Sequence, residues 1–284
     1  MNLSLFARPA ALAALVGLSA CGGGSSEGPA VATLQASPAM FGRTTTVTVQ
    51  GSNLDSSVTA SIEPGCTQMT RLAGGNANSQ SFSCRISWLG DLRVRIRKEG
   101  GAELASLRLD IPLPQVAFNV ASGSATGRFV VELDPEKVPG TVDNFLGYVN
   151  QSTCFYRNTL FHRVIPNFVV QAGGYTANLT TKNEGKGPPV ALETNRGLSN
   201  LRGTIAMART DDPNSATSEF YVNVKDNPEL DYASAAKPGY AVFGKVVSGL
   251  EDIDRIANAP TTSKGLFPNA PVTEITITGC GQTK

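Results

Sequence analysis

FHRVIPNFVVQAGG, residues 161–174, sets the only histidine of the chain beside an arginine in a run that is otherwise largely apolar. Strand-like runs at 160–165 and 168–172 carry it. Alternation along a strand turns Arg163 and Ile165 one way and His162 and Val164 the other. An arginine among Phe161, Ile165, Phe168 and Val170 is costly unless something satisfies it. Two readings stay open: a carboxylate pairs with Arg163, or Arg163 lines a half-open apolar groove that receives a ligand. No orienting partner for His162 is visible in sequence, so its plain reading is a hydrogen-bonded packing histidine.

Outward from this stretch, GRFVVELD at 127–134 is a strand with Phe129, Val131 and Leu133 on one side. Further strand-like runs lie at 203–208, 219–224, 241–247 and 272–279. PGTVDNFLGYVN at 139–150 places Val142, Phe145, Leu146 and Val149 at helical spacing behind a proline. SGLEDIDRIANA at 248–259 carries an apolar stripe of Leu250, Ile253 and Ile256, and Ser248 and Glu251 have the spacing of a capping box. About eight strands and two helices, without regular strand–helix alternation, predict a closed antiparallel β-barrel with helices at its ends.

Upstream of the proline-marked junction IPLPQ at 111–115 the pattern is all-β. TTTVTVQG at 44–51, SQSFSCRIS at 79–87, DLRVRIRK at 91–98 and LASLRLDI at 104–111 alternate, with glycine-rich turns between. Six or seven short strands over residues 31–113 predict a small β-sandwich. VTVQGSNL at 47–54 resembles the immunoglobulin-like sandwiches of bacterial surface proteins. Arg93, Arg95 and Arg97 form a ladder, which is either a solvated face or a site for anionic lipid headgroups.

The chain has 284 residues, a net charge of +1 and 17% charged residues, which argues against nucleic acid as the main partner. Its 41% hydrophobic content suffices for real cores. Residues 1–20 combine a basic start with the short apolar run 10–20, too short to span a bilayer as a helix. Leu18-Ser19-Ala20-Cys21 resembles a bacterial lipobox, which implies cleavage, a lipidated Cys21 and a tether, CGGGSSEGP, over residues 21–30. With Cys21 acylated, four cysteines remain in an exported protein. Cys66 and Cys84 lie together in the first half and are paired; Cys154 and Cys280 remain, and sequence leaves their pairing open.

Several chemistries lack their residues. No GxSxG surrounds a serine, no phosphate-binding GxxxxGK[ST] loop exists, no carboxylate pair is marked, and one histidine without a CxxC builds no usual zinc site. Cysteine–histidine catalysis needs a free cysteine, which this compartment disfavours.

FHRVIPNFVVQAGGY (161–175), RGTIAMARTDDPNSATSEFYVNV (202–224) and YAVFGKVVSGLE (240–251) together resemble the cyclophilins, peptidyl-prolyl cis–trans isomerases, most of all their bacterial periplasmic branch. The resemblance runs from about Gly127 to Gly281. It implies that Arg163 is catalytic and that Phe168, Val169, Tyr221 and Leu230 wall a proline pocket. It implies that Gln171 bonds substrate and orients the arginine, and that Ala208, Arg209 and Thr210 bind peptide backbone. His162 and Tyr240 fall at rim positions. Glu219 stands where the family commonly has glutamine, and the expectation is a pair with Arg163 or Arg209 that competes with substrate. Glu229 stands where tryptophan or phenylalanine is usual, which predicts weak cyclosporin binding.

The combined expectation is a signal peptide at 1–20, a tether at 21–30, a sandwich at 31–113 and an isomerase domain at 114–284. No cofactor or metal is implied. The expected partners are proline-containing segments of unfolded or partly folded envelope proteins, and the membrane through Cys21; the expected state is a monomer. Gly22 does not resemble an inner-membrane retention signal, so the expected place is the periplasm-facing outer membrane. The rival function is a proline-peptide-binding chaperone or surface adhesion module with little turnover.

Overall fold

The structure, a computed structural model, describes residues 28–284 and the short strand β1 (Ala13–Leu15). Cys21 and most of the tether lie outside the described residues. The chain divides into two compact units, residues 1–112 and 113–284.

The first unit holds two antiparallel sheets. Its further strands are β2 (Ala30–Ala36), β3 (Thr44–Ser52), β4 (Val58–Glu63), β5 (Thr70–Arg71), β6 (Ser79–Arg85), β7 (Gly90–Lys98) and β8 (Glu103–Ile111). One sheet has the order β1-β2-β3-β6-β5 and the other β4-β7-β8. Leu34, Val47, Val49 and Phe82 are buried from the first, and Ile62, Leu92, Val94 and Ile96 from the second. The period of two in β7 thus turns its aliphatic residues inward and its arginines outward. The arginine ladder is not bare. Arg95 Nε donates to Glu63 Oε2 at 2.9 Å, Arg97 Nη1 to Glu63 Oε1 at 2.8 Å, and Arg95 also pairs with Glu103. Cross-strand acids on β4 and β8 match these charges, as expected of a solvated, ion-paired face. Cys66 and Cys84 form a disulfide with Cα atoms 6.5 Å apart.

The second unit is built on β9 (Gln115–Ser122), β10 (Ala125–Leu133), α1 (Pro139–Val149), β11 (Phe161–Ile165), β12 (Val169–Ala172), β13 (Tyr175–Thr176), β14 (Thr180–Thr181), β15 (Thr204–Met207), β16 (Phe220–Asn223), β17 (Val242–Ser248), α2 (Leu250–Ala257), β18 (Thr261–Lys264), β19 (Phe267–Pro271) and β20 (Thr276–Gln282). Eight of these strands form one antiparallel sheet in the order β11-β12-β16-β15-β17-β10-β9-β20. Its two ends meet. Leu160 bridges to Thr276, Phe161 N donates to the Ile275 carbonyl at 2.9 Å, and Ile277 N donates to the Thr159 carbonyl at 2.8 Å. The expected eight-stranded barrel is therefore present and nearly closed. Aromatic rings fill it: Phe118 stacks on Phe129 at 5.0 Å, and Phe145 of α1 lies 4.8 Å from Phe243.

Both helix starts depart from simple rules. Val138 offers α1 no side-chain cap. Glu193 supplies one from a distant loop, accepting from Gly140 N at 3.3 Å and Thr141 N at 2.7 Å. The capping box expected from Ser248 and Glu251 does not form. Ser248 ends β17, and Gly249, at φ 79°, is the N-cap of α2 without a side-chain bond. A Cβ at Gly249 would lie 2.1 Å from the Arg128 carbonyl oxygen, so close approach to β10 fixes this turn. Cys154 and Cys280 are disulfide-bonded with Cα atoms 5.8 Å apart, tying the segment after α1 to β20. The 126-residue separation corresponds to about 5 kcal/mol in the chain-entropy model.

Candidate active site

A row of residues crosses five neighbouring strands. Arg163 on β11 faces Gln171 on β12, which faces Tyr221 on β16, then Ala206 on β15 and Val242 on β17. Strict alternation does not hold on β11. The register shifts between Phe161 and Arg163, so Phe161 packs inward, 6.4 Å from Phe129, while half-buried Arg163 lines a cavity. A bulge of this kind re-aims one side chain without breaking the sheet.

Val169, Ala206, Tyr221 and Val242 form a small apolar cluster, with Phe168, Leu198, Ala208, Leu230 and Tyr240 packed against it. Beside it lies a cavity of about 270 Å³ lined by Arg163, Phe168, Val169, Gln171, Ala208, Arg209, Tyr221, Leu230 and Tyr240. The structure thus gathers all the expected site residues at the cavity except His162, Thr210 and Glu219. Thr210 bonds Ser215 instead, its backbone N at 2.9 Å and its hydroxyl at 2.8 Å. Glu229 is exposed and is not part of the lining.

The cavity holds two guanidinium groups in different states. Arg163 Nη1 donates to Gln171 Oε1 at 3.3 Å, and its guanidinium carbon lies 5.9 Å from the Phe168 ring centre. No described ion pair involves Arg163, so of its two open readings the structure takes the cavity-lining one. Burial lowers the pKa of this guanidinium, and the nearby Tyr240 opposes that shift. Arg209 is engaged by backbone. Its Nε and Nη2 donate to the Gly239 carbonyl at 3.1 and 3.0 Å, its Nη1 to the Thr210 carbonyl at 2.7 Å, and its plane lies 4.6 Å from the Tyr240 ring centre. It braces the rim.

Glu219 pairs with neither arginine, contrary to the expectation. Its Oε2 accepts from Gln171 Nε2 at 2.9 Å and lies 3.3 Å from His162 Nε2. Burial pushes this carboxyl up. The bond and charge of His162, with the Gln171 amide, outweigh burial and hold its pKa below the ordinary value. His162 is buried and meets Tyr175 and Phe267 edge-on, at 4.6 and 6.0 Å between ring centres.

Beneath the wall lies a polar network that sequence reasoning missed. Tyr221 donates its hydroxyl to Asn200 Oδ1 at 2.7 Å, and Asn200 Nδ2 donates to Asp231 Oδ1 at 2.8 Å. Asn227 Nδ2 donates to the Phe168 carbonyl at 3.0 Å and to Asn223 Oδ1 at 2.8 Å. Burial raises the Tyr221 phenol far above its usual range, so it stays a donor. Asn200, Asn223 and Asn227 are fully buried. Only that depth, invisible in local sequence, distinguishes them from ordinary loop asparagines.

Residues 116–282 match the family model for cyclophilin type peptidyl-prolyl cis–trans isomerase/CLD. Over 154 residues the chain is 47% identical to peptidyl-prolyl cis-trans isomerase A of Dickeya dadantii, covering 54% of this chain and 78% of that one. It is 46% identical over 151 residues to a peptidyl-prolyl cis-trans isomerase of Acinetobacter baylyi, covering 53% and 78%. It is 40% identical over 153 residues to peptidyl-prolyl cis-trans isomerase B of Escherichia coli, covering 53% and 91%. The chain belongs to the cyclophilin family.

The activity of this cyclophilin is peptidyl-prolyl cis–trans isomerisation. Rotation about an X-Pro bond breaks amide resonance against a barrier of ~20 kcal/mol and takes ~10–100 s uncatalysed. No covalent bond is made or broken, so the reaction itself calls for no nucleophile. As the bond twists, the prolyl nitrogen becomes pyramidal and basic, and a fixed donor beside it stabilises the twisted state. In this cyclophilin the half-buried Arg163 guanidinium lines a cavity of mixed polar and apolar lining.

Proposed function

We propose that Arg163 is the donor to the prolyl nitrogen and that the 270 Å³ cavity seats the proline ring. The observation that carries this is a half-buried guanidinium with no carboxylate partner among the described ion pairs, held by Gln171 beside Phe168. A guanidinium suits the role because it donates and does not deprotonate. One charge-assisted bond contributes ~1.5–3 kcal/mol, and tenfold in rate needs ~1.4 kcal/mol, so Arg163 accounts for roughly ten- to a hundredfold. Seating the ring against Phe168, Val169 and Leu230 while the preceding carbonyl swings supplies the rest.

The substrates in this reading are X-Pro segments of unfolded or partly folded envelope proteins, met by a monomer tethered to the outer membrane through lipid on Cys21. The lipobox-like LSAC and the glycine-rich segment after it support the anchor. The two disulfides support an oxidising compartment. The first unit, two antiparallel sheets that each bury apolar residues, is in this reading an immunoglobulin-like module.

The test is the isomerisation rate of a short X-Pro peptide with wild-type protein and with Arg163→Ala. Acceleration by the wild type, reduced about tenfold or more in the variant, is the expected outcome. Equal rates would remove Arg163 from the chemistry. Peptide binding without acceleration by the folded wild type would favour the peptide-binding module instead.

A further inference from the structure

A glutamine side-chain amide carries its oxygen and its NH₂ on opposite sides of one plane, and only its neighbours decide which faces where. Gln171 stands between two groups that each allow a single answer. An ionised carboxylate accepts and never donates, and Glu219 Oε2 is 2.9 Å from Gln171 Nε2. A guanidinium donates and never accepts, and Arg163 Nη1 is 3.3 Å from Gln171 Oε1. The flipped amide would set N–H against N–H on one side and oxygen against oxygen on the other.

Glu219 is itself held. His162 Nε2, on a ring that is 3% exposed, lies 3.3 Å from the same carboxylate oxygen. The backbone carbonyl of Glu219 accepts from Ala208 N at 2.9 Å. A Cβ at Gly174 would come within 2.5 Å of Glu219 Oε1, so the glycine there leaves the carboxylate its space. Glu219 does not line the cavity. It therefore reaches the chemistry only through Gln171.

We propose that Glu219, braced by His162, is a positioning residue that fixes the Gln171 amide and, through it, the guanidinium of Arg163. The proposal rests on Arg163 being the donor. Glutamine at this position retains an oxygen that can accept from both Gln171 and His162 in the same place. Alanine retains nothing, and the Gln171 amide then turns freely beside the arginine.

The test is a double-mutant cycle on the whole protein with an X-Pro peptide, using Glu219→Ala, Gln171→Ala and the pair, with Glu219→Gln as the rescue. Glu219→Ala is expected to lower kcat about five- to twentyfold and to move KM by less than about twofold. Glu219→Gln is expected to recover most of that loss, and the double variant to be no slower than Gln171→Ala alone. Losses that multiply in the double variant, a Glu219→Gln as slow as Glu219→Ala, or a Glu219→Ala within about twofold of wild type would each overturn the proposal. Should Glu219→Ala not fold, Glu219→Met fills the space without accepting as a carboxylate does and carries the same expectation. Arg163→Ala, measured alongside, separates the two claims: if it turns over at the wild-type rate the reading of Arg163 fails, whereas a slow Arg163→Ala with multiplying Glu219 and Gln171 losses overturns only the role of Glu219.

Discussion

Asp231 accepts from the Ser199 hydroxyl, from Asn200 N at 2.7 Å and from Asn200 Nδ2 at 2.8 Å. Asn200 in turn accepts from Tyr221, so one carboxylate outside the cavity lining sets the wall against which the proline ring is proposed to sit. Asp231→Ala would strand the buried Asn200 amide, at a cost of ~1–3 kcal/mol. The expected result is a lower denaturation midpoint with KM raised severalfold and kcat little changed; an unaltered KM in the destabilised variant would show that the wall does not depend on Asp231. At this scale Arg163 was legible because its type conflicts with the phenylalanines and valines around it, whereas the other cavity residues were named only through the family resemblance. Asn200 and Asp231 carry no such local sign. They become informative only when segments about twenty to thirty residues apart meet, as Asn200 meets Tyr221 and Asp231.

Among the elements, periodicity found those that are apolar on one side only. The stripe of α2 is buried at Ile253 and Ile256, and α1 buries Val142, Phe145, Leu146 and Val149. It gave no strand before 127 in the second unit, because β9 buries Val116, Ala117 and Phe118 in succession and such a run has no period of two. On β11 the expected faces hold from His162 to Ile165, and the register shift before Arg163 turns only Phe161 out of the alternation. The start of α2 offers a direct contrast between a sequence signature and close packing. Gly249→Ala places a side chain on a left-handed residue 2.1 Å from a carbonyl oxygen and is expected to cost roughly 2 kcal/mol or more. Ser248→Ala, at the residue the signature would have made the cap, is expected to stay within about 0.5 kcal/mol. Thermal denaturation of both variants decides it, and the reverse order would restore the capping box.

The whole molecule is two compact units, each with its own apolar core and its own disulfide, Cys66–Cys84 in one and Cys154–Cys280 in the other. No helix among the described residues is long and apolar enough to cross a membrane. In the proposed account attachment is through lipid on Cys21, each buried methylene contributing ~0.8 kcal/mol. Cells fed labelled palmitate are expected to label the wild-type protein and not Cys21→Ser, and an unlabelled wild type would sink the anchor. The boundary between the units was legible in the prolines of IPLPQ and in the change of pattern beyond them. The closed barrel was expected from the number of strands, but the pair that brings its ends together was not, because Leu160 meets Thr276 across more than a hundred residues.

The central claim is that this cyclophilin turns over X-Pro bonds with Arg163 as the donor. Exchange NMR on one X-Pro peptide, at saturating protein, reads binding and cis–trans interconversion in the same sample. The account predicts that wild type and Arg163→Ala both shift the peptide resonances, and that interconversion in the variant is slower by about tenfold or more. A variant that binds and interconverts the peptide at the wild-type rate, or a wild type that binds without interconversion, would contradict it.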